Sequence, residues 1–238
     1  MLVFSCDFTT RKDTNDMKTK GMKNLISGIA FIISFVIWTM LIQIIDVQPI
    51  GANGTNIGFA KLNMWFNSII CVNMTLYTIT DWLGLVPIFI CMIFGLVGLV
   101  QLIKRKNLLK VDFDIIILGI YYVIVILCYL IFEMYPINYR PILINGFIEA
   151  SYPSSTTLLV LSVMPTLAFQ CNQRLKSITL KRFITIFTVA FSVFMVAGRL
   201  ISGVHWLTDI IGSCLLSAGL FYTYKGIVLW NSMKSFRN

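Results

Sequence analysis

Long apolar runs separated by short polar segments dominate this chain. A bilayer core about 30 Å thick needs about 20 predominantly apolar residues in each spanning helix, and six runs approach that length. The apolar positions are continuous and do not alternate with polar ones, which argues against β-barrel strands. The pattern predicts an all-α integral membrane protein, a bundle of six transmembrane helices. The predicted spans are residues 24–45, 82–103, 115–132, 156–170, 183–198 and 207–224.

The composition agrees with a membrane protein. The 238 residues are 58% hydrophobic and 12% charged, with a mean hydropathy of +0.84, far from the norm for soluble domains. A polar tail precedes the first run and no small-residue cleavage site follows it, so we expect no removable signal peptide. We predict a basic tail at residues 1–23, one six-helix domain at 24–230 and a short tail at 231–238.

Basic residues, which give the chain its net charge of +9, fall in alternate segments. By the positive-inside rule this predicts that both termini are cytoplasmic, in a bacterial plasma membrane, and that the opposite end faces outward. Anionic lipid headgroups account for the charge, so we expect no nucleic-acid partner. The predicted cytoplasmic set is Arg11, Lys12, Lys18, Lys20, Lys23, Lys104, Arg105, Lys106, Lys110, Arg174, Lys176, Lys181, Arg182, Lys225, Lys234 and Arg237, which leaves Lys61, Arg140 and Arg199 on the other side.

The first predicted outer loop, residues 46–81, is long and partly amphipathic. Its apolar residues recur at helical spacing from Phe59 to Ile70. This pattern predicts an interfacial helix that lies on the outer leaflet or packs as a cap over the bundle.

Two other predicted outer loops bring chemically useful side chains to the same face. The last loop holds Arg199, His205 and Asp209, and His205 is the only histidine of the chain. His205 and Asp209 are four residues apart, so on a helix they share one side. A carboxylate there can fix the tautomer of the imidazole and leave its other nitrogen as an acceptor or nucleophile.

The loop before the fourth predicted span adds an arginine, Arg140, and a run of hydroxyl residues. Two guanidinium groups beside an oriented imidazole favour phosphate chemistry over acyl chemistry, because each planar fork matches phosphate oxygens. Pro153 is typical of the first turn of a helix, where the amides of Ser154, Ser155 and Thr156 would be free to bind an anion. The simpler alternatives are an interfacial ion pair between Arg199 and Asp209 and an ordinary helix cap.

These motifs resemble the three-part signature of the type 2 phosphatidic acid phosphatase superfamily. The third motif is Arg199-x5-His205-x3-Asp209; the others are partial, Pro153-Ser154 and Arg140-Pro141. The resemblance implies a six-helix core with an outer-face site, in which His205 attacks phosphorus to form a phosphohistidine and Asp209 orients it. It also implies that Arg140, Arg199 and the Ser154–Thr156 turn hold the phosphoryl oxygens. No metal or cofactor is implied, and the six cysteines show no metal-ligand spacing.

The chain departs from the family pattern at three positions. Glu133 stands where the first motif begins with lysine, and Gly198 stands where serine usually precedes the arginine. Thr156 stands where the second motif ends in the histidine that protonates the leaving oxygen. Such an acid typically contributes about 10² to 10⁴ in rate, and a threonine cannot supply it. Catalysis is then lost, or Glu133 or Glu149 supplies the proton, or the substrate needs none.

A leaving phosphate needs no acid, because its second pKa is about 6, against about 16 for water as a stand-in for an alcohol. We therefore predict a metal-independent membrane hydrolase acting on a lipid, preferably isoprenoid, diphosphate, with lipid monophosphates second. A protein that binds or transports lipid phosphates without turnover, and a lipid phosphotransferase, stay open as alternatives. The sequence leaves the oligomeric state open.

Overall fold

The protein is all-helical in a computed structural model that describes residues 3–231. Within that range there are no strands, only isolated bridges and two 3₁₀ turns, at Ala52–Gly54 and Leu108–Lys110. The α-helices are α1 (Val3–Ile44), α2 (Ala60–Ile69), α3 (Met74–Leu83), α4 (Leu85–Arg105), α5 (Phe113–Met134), α6 (Ser155–Arg174), α7 (Ile178–Ile201) and α8 (Leu207–Asn231).

Several helices have the length and apolar character of membrane spans, which makes this an integral membrane protein. Four predicted runs lie within such a segment and the first, 24–45, extends one residue beyond it; large apolar side chains on these helices point outward, as lipid-facing residues do. In the described part of the chain the candidate spans are Met17–Ile44, Met74–Arg105, Phe113–Met134, Ile178–Ile201 and Leu207–Asn231.

The helix α6 covers the remaining predicted span but is too polar to count among these candidates. Its polar residues Ser162, Thr166 and Gln170 are fully buried against neighbouring helices. Tyr121 Oη on α5 donates to the Ser162 carbonyl at 2.9 Å, and Gln170 Nε2 donates to Tyr224 Oη on α8 at 2.7 Å. Protein therefore surrounds α6 on the sides where lipid surrounds the other helices, and a sixth span stays a prediction.

The ends of some elements differ from the predicted ones. The predicted basic tail is helical from Val3, because α1 begins there instead of at residue 24. The α6 helix begins at Ser155 with Ser154 as its N-cap, so Pro153 precedes the helix instead of lying in its first turn. Of the predicted C-terminal tail, residues 232–238 lie outside the described residues.

The helices α1 and α8 pack so closely that only glycine fits at the contact. A Cβ atom at Gly28 would lie 2.7 Å from the backbone nitrogen of Thr223, and one at Gly219 would lie 3.0 Å from that of Ile32. Small residues of this kind allow backbones of membrane helices to approach one another.

Ion pairs join α4, α5 and α6 at one end of the bundle. Arg174 at the end of α6 contacts Asp112 at 3.1 Å and Asp114 at 2.5 Å, and Arg105 of α4 contacts Asp112 at 2.7 Å. The helices α2 and α3 lie at the other end, where α2 packs on α8 and α3 on α7. The short helix α2 lies within the segment from Phe59 to Ile70 that was predicted to form an interfacial helix, and Trp65 on α2 is exposed.

Candidate functional site

The site forms where the turn between α7 and α8 meets the loop between α5 and α6. Gly203 provides the turn with a φ of +70°, a conformation that side chains other than glycine rarely adopt. Trp206 Nε1 donates to the Tyr139 carbonyl at 2.7 Å, and His205 contacts Ser151. Two segments more than fifty residues apart in sequence therefore fold against each other, as expected from the placement of both polar loops on the same face.

The contacts of His205 identify its tautomer. Arg199 Nη2 lies 3.2 Å from His205 Nε2, and a guanidinium can only donate, so Nε2 accepts. The proton then resides on Nδ1, which lies 3.2 Å from the Ser151 carbonyl, an acceptor. The ring is 3% exposed. Its Nε2 lone pair faces the arginine, where a bound anion would also lie.

Asp209 reaches the imidazole through an intermediate residue. Its Oδ2 lies 3.8 Å from His205 Nδ1, which is too long for a hydrogen bond. The Ser151 hydroxyl lies between them, 3.1 Å from Nδ1, and donates to Asp209 Oδ2 in a short hydrogen bond. Ser151 therefore connects the imidazole to the carboxylate. In the sequence it is only one member of a hydroxyl-rich run, so this contact could not be predicted.

Other hydrogen bonds hold the buried Asp209 carboxylate in place. The Trp206 amide donates to Oδ2 at 2.9 Å, and Asn138 Nδ2 donates to Oδ1 at 3.4 Å. Asn138 is 1% exposed and comes from the α5–α6 loop. No sequence pattern indicated it, because a lone asparagine in a loop is common.

Two buried arginines lie beside the histidine and lack a full set of partners. Arg199 is 1% exposed and Arg140 is 7% exposed. The centroid of the Tyr77 ring lies 4.7 Å from the Arg199 guanidinium carbon and 5.5 Å from that of Arg140, so both charges lie against the same aromatic ring. Arg140 pairs with Glu149 at 3.2 Å, and Arg199 lies 3.6 Å from Asp81.

Several N–H groups of these arginines have no hydrogen-bond acceptor. They are the Nε and Nη1 groups of Arg140 and of Arg199, all buried. A buried donor without an acceptor costs about 1 to 3 kcal/mol, and more when it is charged. An anion with several oxygens would satisfy these donors, so the position between the arginines is a candidate anion-binding centre.

The predicted Ser154–Thr156 turn contributes unequally to the site. The Ser154 amide donates to the Asp209 carbonyl at 3.4 Å and its hydroxyl to Thr157 at 3.1 Å, so both groups are used within the protein. Ser155 and Thr156 line a cavity of about 510 Å³ between α4, α5 and α6. Asp81 lines the same cavity, whose walls are otherwise mostly apolar.

The two carboxylates predicted as substitute acids lie elsewhere. Glu149 is occupied by its ion pair with Arg140. Glu133 is exposed and lines a small pocket that adjoins the Thr156 cavity, since Tyr129, Ser155 and Leu158 line both. Neither lines the cavity that holds Thr156. As for metals, no three His, Cys, Asp or Glu side chains converge among those that the structure describes, which begin at residue 17 and end at residue 231.

The fold and the site together define an all-helical integral membrane protein with a buried arginine–histidine centre. The model of the PAP2 superfamily matches residues 116–233, which include both arginines, His205 and Asp209. This confirms the resemblance seen in the motifs over that part of the chain.

A solved structure shares the fold. It is a transmembrane PAP2 type phosphatidylglycerolphosphate phosphatase from Bacillus subtilis, with 18% sequence identity and a TM-score of 0.59. The match covers 84% of this chain and 95% of that one. No curated protein matches the chain.

The protonation of His205 gives a direct test of the site geometry. Burial lowers the pKa of the ring well below 6.5, and the positive charges of Arg140 and Arg199 lower it further. Protonation is therefore disfavoured in the folded protein. The stability that the neutral ring contributes is complete above about pH 6.5 and is lost as the pH falls below it.

We expect nitrogen-15 spectra of histidine-labelled protein in detergent to show one neutral ring with the proton on Nδ1, down to about pH 6. Because the chain has a single histidine, no assignment is needed. Arg199→Gln removes one of the two nearby charges and should raise the titration midpoint. A ring that titrates at the ordinary value, or carries its proton on Nε2, would contradict this geometry.

Proposed function

We propose that this protein is a lipid phosphatase of the membrane, which works through a phosphohistidine at His205. The observation that carries the proposal is the pair of buried guanidinium groups with unsatisfied N–H donors beside an imidazole nitrogen that accepts. A site that only binds a lipid phosphate needs the arginines but no oriented imidazole. The neutral ring, with its Nδ1 proton held by Ser151 and Asp209 behind it, adds what a nucleophile requires.

In the proposed first step, His205 Nε2 attacks phosphorus while Arg140 and Arg199 bind the phosphoryl oxygens. The N–P bond forms, the P–O bond to the leaving group breaks, and the leaving oxygen takes the electron pair. The ring becomes positively charged, and the Asp209 carboxylate, connected through Ser151, stabilises it. The arginines neutralise the charge that develops on the equatorial oxygens.

Thr156 favours a diphosphate over a monoester as substrate. With no histidine at this position, an alcohol leaving group has no general acid from the second motif, whereas a phosphate departs as an anion. An isoprenoid diphosphate is therefore our preferred substrate, and a lipid monophosphate the second. The mostly apolar cavity beside Thr156 has room for part of an isoprenyl or acyl chain. The distribution of basic residues supports an outward-facing site with both termini cytoplasmic, in a bacterial plasma membrane.

The proposal is tested by phosphate release from the purified protein in detergent with a chelator present. The panel includes farnesyl diphosphate, farnesyl monophosphate, phosphatidic acid and phosphatidylglycerolphosphate. We expect release from diphosphates at least about ten-fold faster than from monoesters, because the acid is missing. A silent panel with lipid phosphates still bound would favour the non-catalytic alternative. Transfer of the phosphoryl group to a second lipid, instead of to water, would favour the phosphotransferase.

A further inference from the structure

We infer that Asp81 of α3 is the general base for the second half of the proposed reaction, hydrolysis of the phosphohistidine. This inference rests on the proposed function and concerns a residue outside the segment matched by the superfamily model. Hydrolysis requires a group that accepts a proton from the attacking water. Thr156 cannot be that group.

The position of Asp81 fits this role. Its Oδ1 lies 3.6 Å from Arg199 Nη1, while Arg199 Nη2 contacts His205 Nε2. The carboxylate and the nucleophile therefore lie against the same guanidinium. The Asp81 side chain is 58% exposed and lines the cavity beside Thr156, which leaves room for a water molecule, while Arg199 is almost fully buried.

Asp81 is also close to the position that the missing histidine would occupy. It lies three residues before Gly84, whose amide donates to the Asp81 carbonyl. A Cβ atom at Gly84 would lie 3.4 Å from the Thr156 methyl group. Asp81, Gly84 and Thr156 line the same cavity. The turn that joins α3 and α4 thus carries a carboxylate to the side of the site where Thr156 lies.

In-line displacement at phosphorus requires the base to lie on the side of the site where Thr156 lies. The leaving group departs opposite Nε2, and water then enters from the same side. The water oxygen forms a bond to phosphorus, the P–N bond breaks, and its electron pair returns to Nε2. One water proton passes to the Asp81 carboxylate, and inorganic phosphate leaves. An ionised carboxylate accepts a proton and has none to donate. This agrees with a substrate whose leaving group needs no acid.

The test uses rapid quench with farnesyl diphosphate labelled in its terminal phosphate. It follows both products, farnesyl monophosphate and inorganic phosphate. In Asp81→Asn, formation of the phosphoenzyme and the first burst of farnesyl monophosphate should stay within a few-fold of wild type. Release of inorganic phosphate should slow by about 10² or more, so that labelled phosphohistidine accumulates. Asp81→Glu should recover part of the rate. Thr156→His placed on Asp81→Asn should also restore release, because it supplies another base.

Asp46→Asn is the matched control. Asp46 is also an aspartate at this end of the bundle, and its φ of +45° is tolerated by asparagine. Its Oδ2 accepts from the Lys61 amide at 2.8 Å, which an asparagine oxygen can also do. We expect no change in either step.

The outcomes separate this inference from the proposed function. If wild type and Asp81→Asn form no phosphohistidine, the proposed function fails and the inference fails with it. If phosphohistidine forms on His205 and Asp81→Asn hydrolyses it at the wild-type rate, only the inference fails. Equal loss of both steps in Asp81→Asn would also overturn it, since that result describes a residue that merely positions Arg199. Accumulation in Glu133→Gln instead would assign the base to Glu133.

Discussion

Replacing His205 by asparagine is expected to abolish phosphohistidine formation and to reduce turnover by about 10⁴-fold or more, the scale seen when a covalent nucleophile is removed. Asparagine is smaller than histidine and still polar, so the Arg199 and Ser151 contacts keep a hydrogen-bonding partner. Binding of inorganic phosphate should persist within about ten-fold, because the arginines are unchanged. The measurement uses a lipid diphosphate with a labelled terminal phosphate. It follows the rate of phosphate release and the amount of acid-labile phosphoenzyme.

A buried α8 residue outside the site provides the control for this substitution. Ser217 is 1% exposed and donates to the Ser213 carbonyl at 2.7 Å. It lies about two helical turns beyond Asp209 on α8. Ser217→Ala should retain near wild-type turnover. Phosphate release that survives His205→Asn undiminished would refute the proposed mechanism.

Thr156→His is expected to raise hydrolysis of lipid monophosphates by about 10² to 10⁴, the usual contribution of a general acid. The reason is that an alkoxide leaving group needs a proton, whereas a phosphate does not. Diphosphate hydrolysis should change much less at its first step. The cavity beside Thr156, about 510 Å³ in volume, has room for an imidazole.

Thr156→Gln separates proton donation from the effect of size. Glutamine has similar reach and polarity but no proton that titrates near neutral pH. We expect it to leave the preference for diphosphates unchanged. An equal gain with glutamine, or no gain with histidine, would exclude the leaving-group explanation for the threonine.

Features that are local in sequence could be predicted for both fold and site. Continuous apolar runs indicated the membrane helices. The spacing of Arg199, His205 and Asp209 indicated a shared centre because these residues lie within eleven positions. Arg199 and Asp209 lie on two helix ends, and His205 lies in the short turn between them. The contribution of Arg140 depended on assigning two loops to the same face.

Contacts between distant segments could not be predicted in the same way. Tyr77, Asp81 and Asn138 reach the site from segments at least sixty positions before His205, with no periodicity that sets them apart. Ser151 was one of several hydroxyl residues, and only its position between imidazole and carboxylate distinguishes it. The sixth predicted span stays a prediction, because α6 carries buried polar residues with partners on neighbouring helices, as Gln170 has with Tyr224.

The internal position of α6 has a consequence for how the chain assembles during synthesis. A segment with this many hydroxyl and amide groups partitions poorly into lipid by itself, since each unsatisfied polar group there costs several kcal/mol. Tyr122 on the preceding helix bonds to the Thr166 hydroxyl, and Tyr224 on the last helix accepts from the Gln170 amide. Stable integration of α6 therefore waits for α8 to emerge from the ribosome, and truncation before α8 should leave the chain open to quality-control proteases.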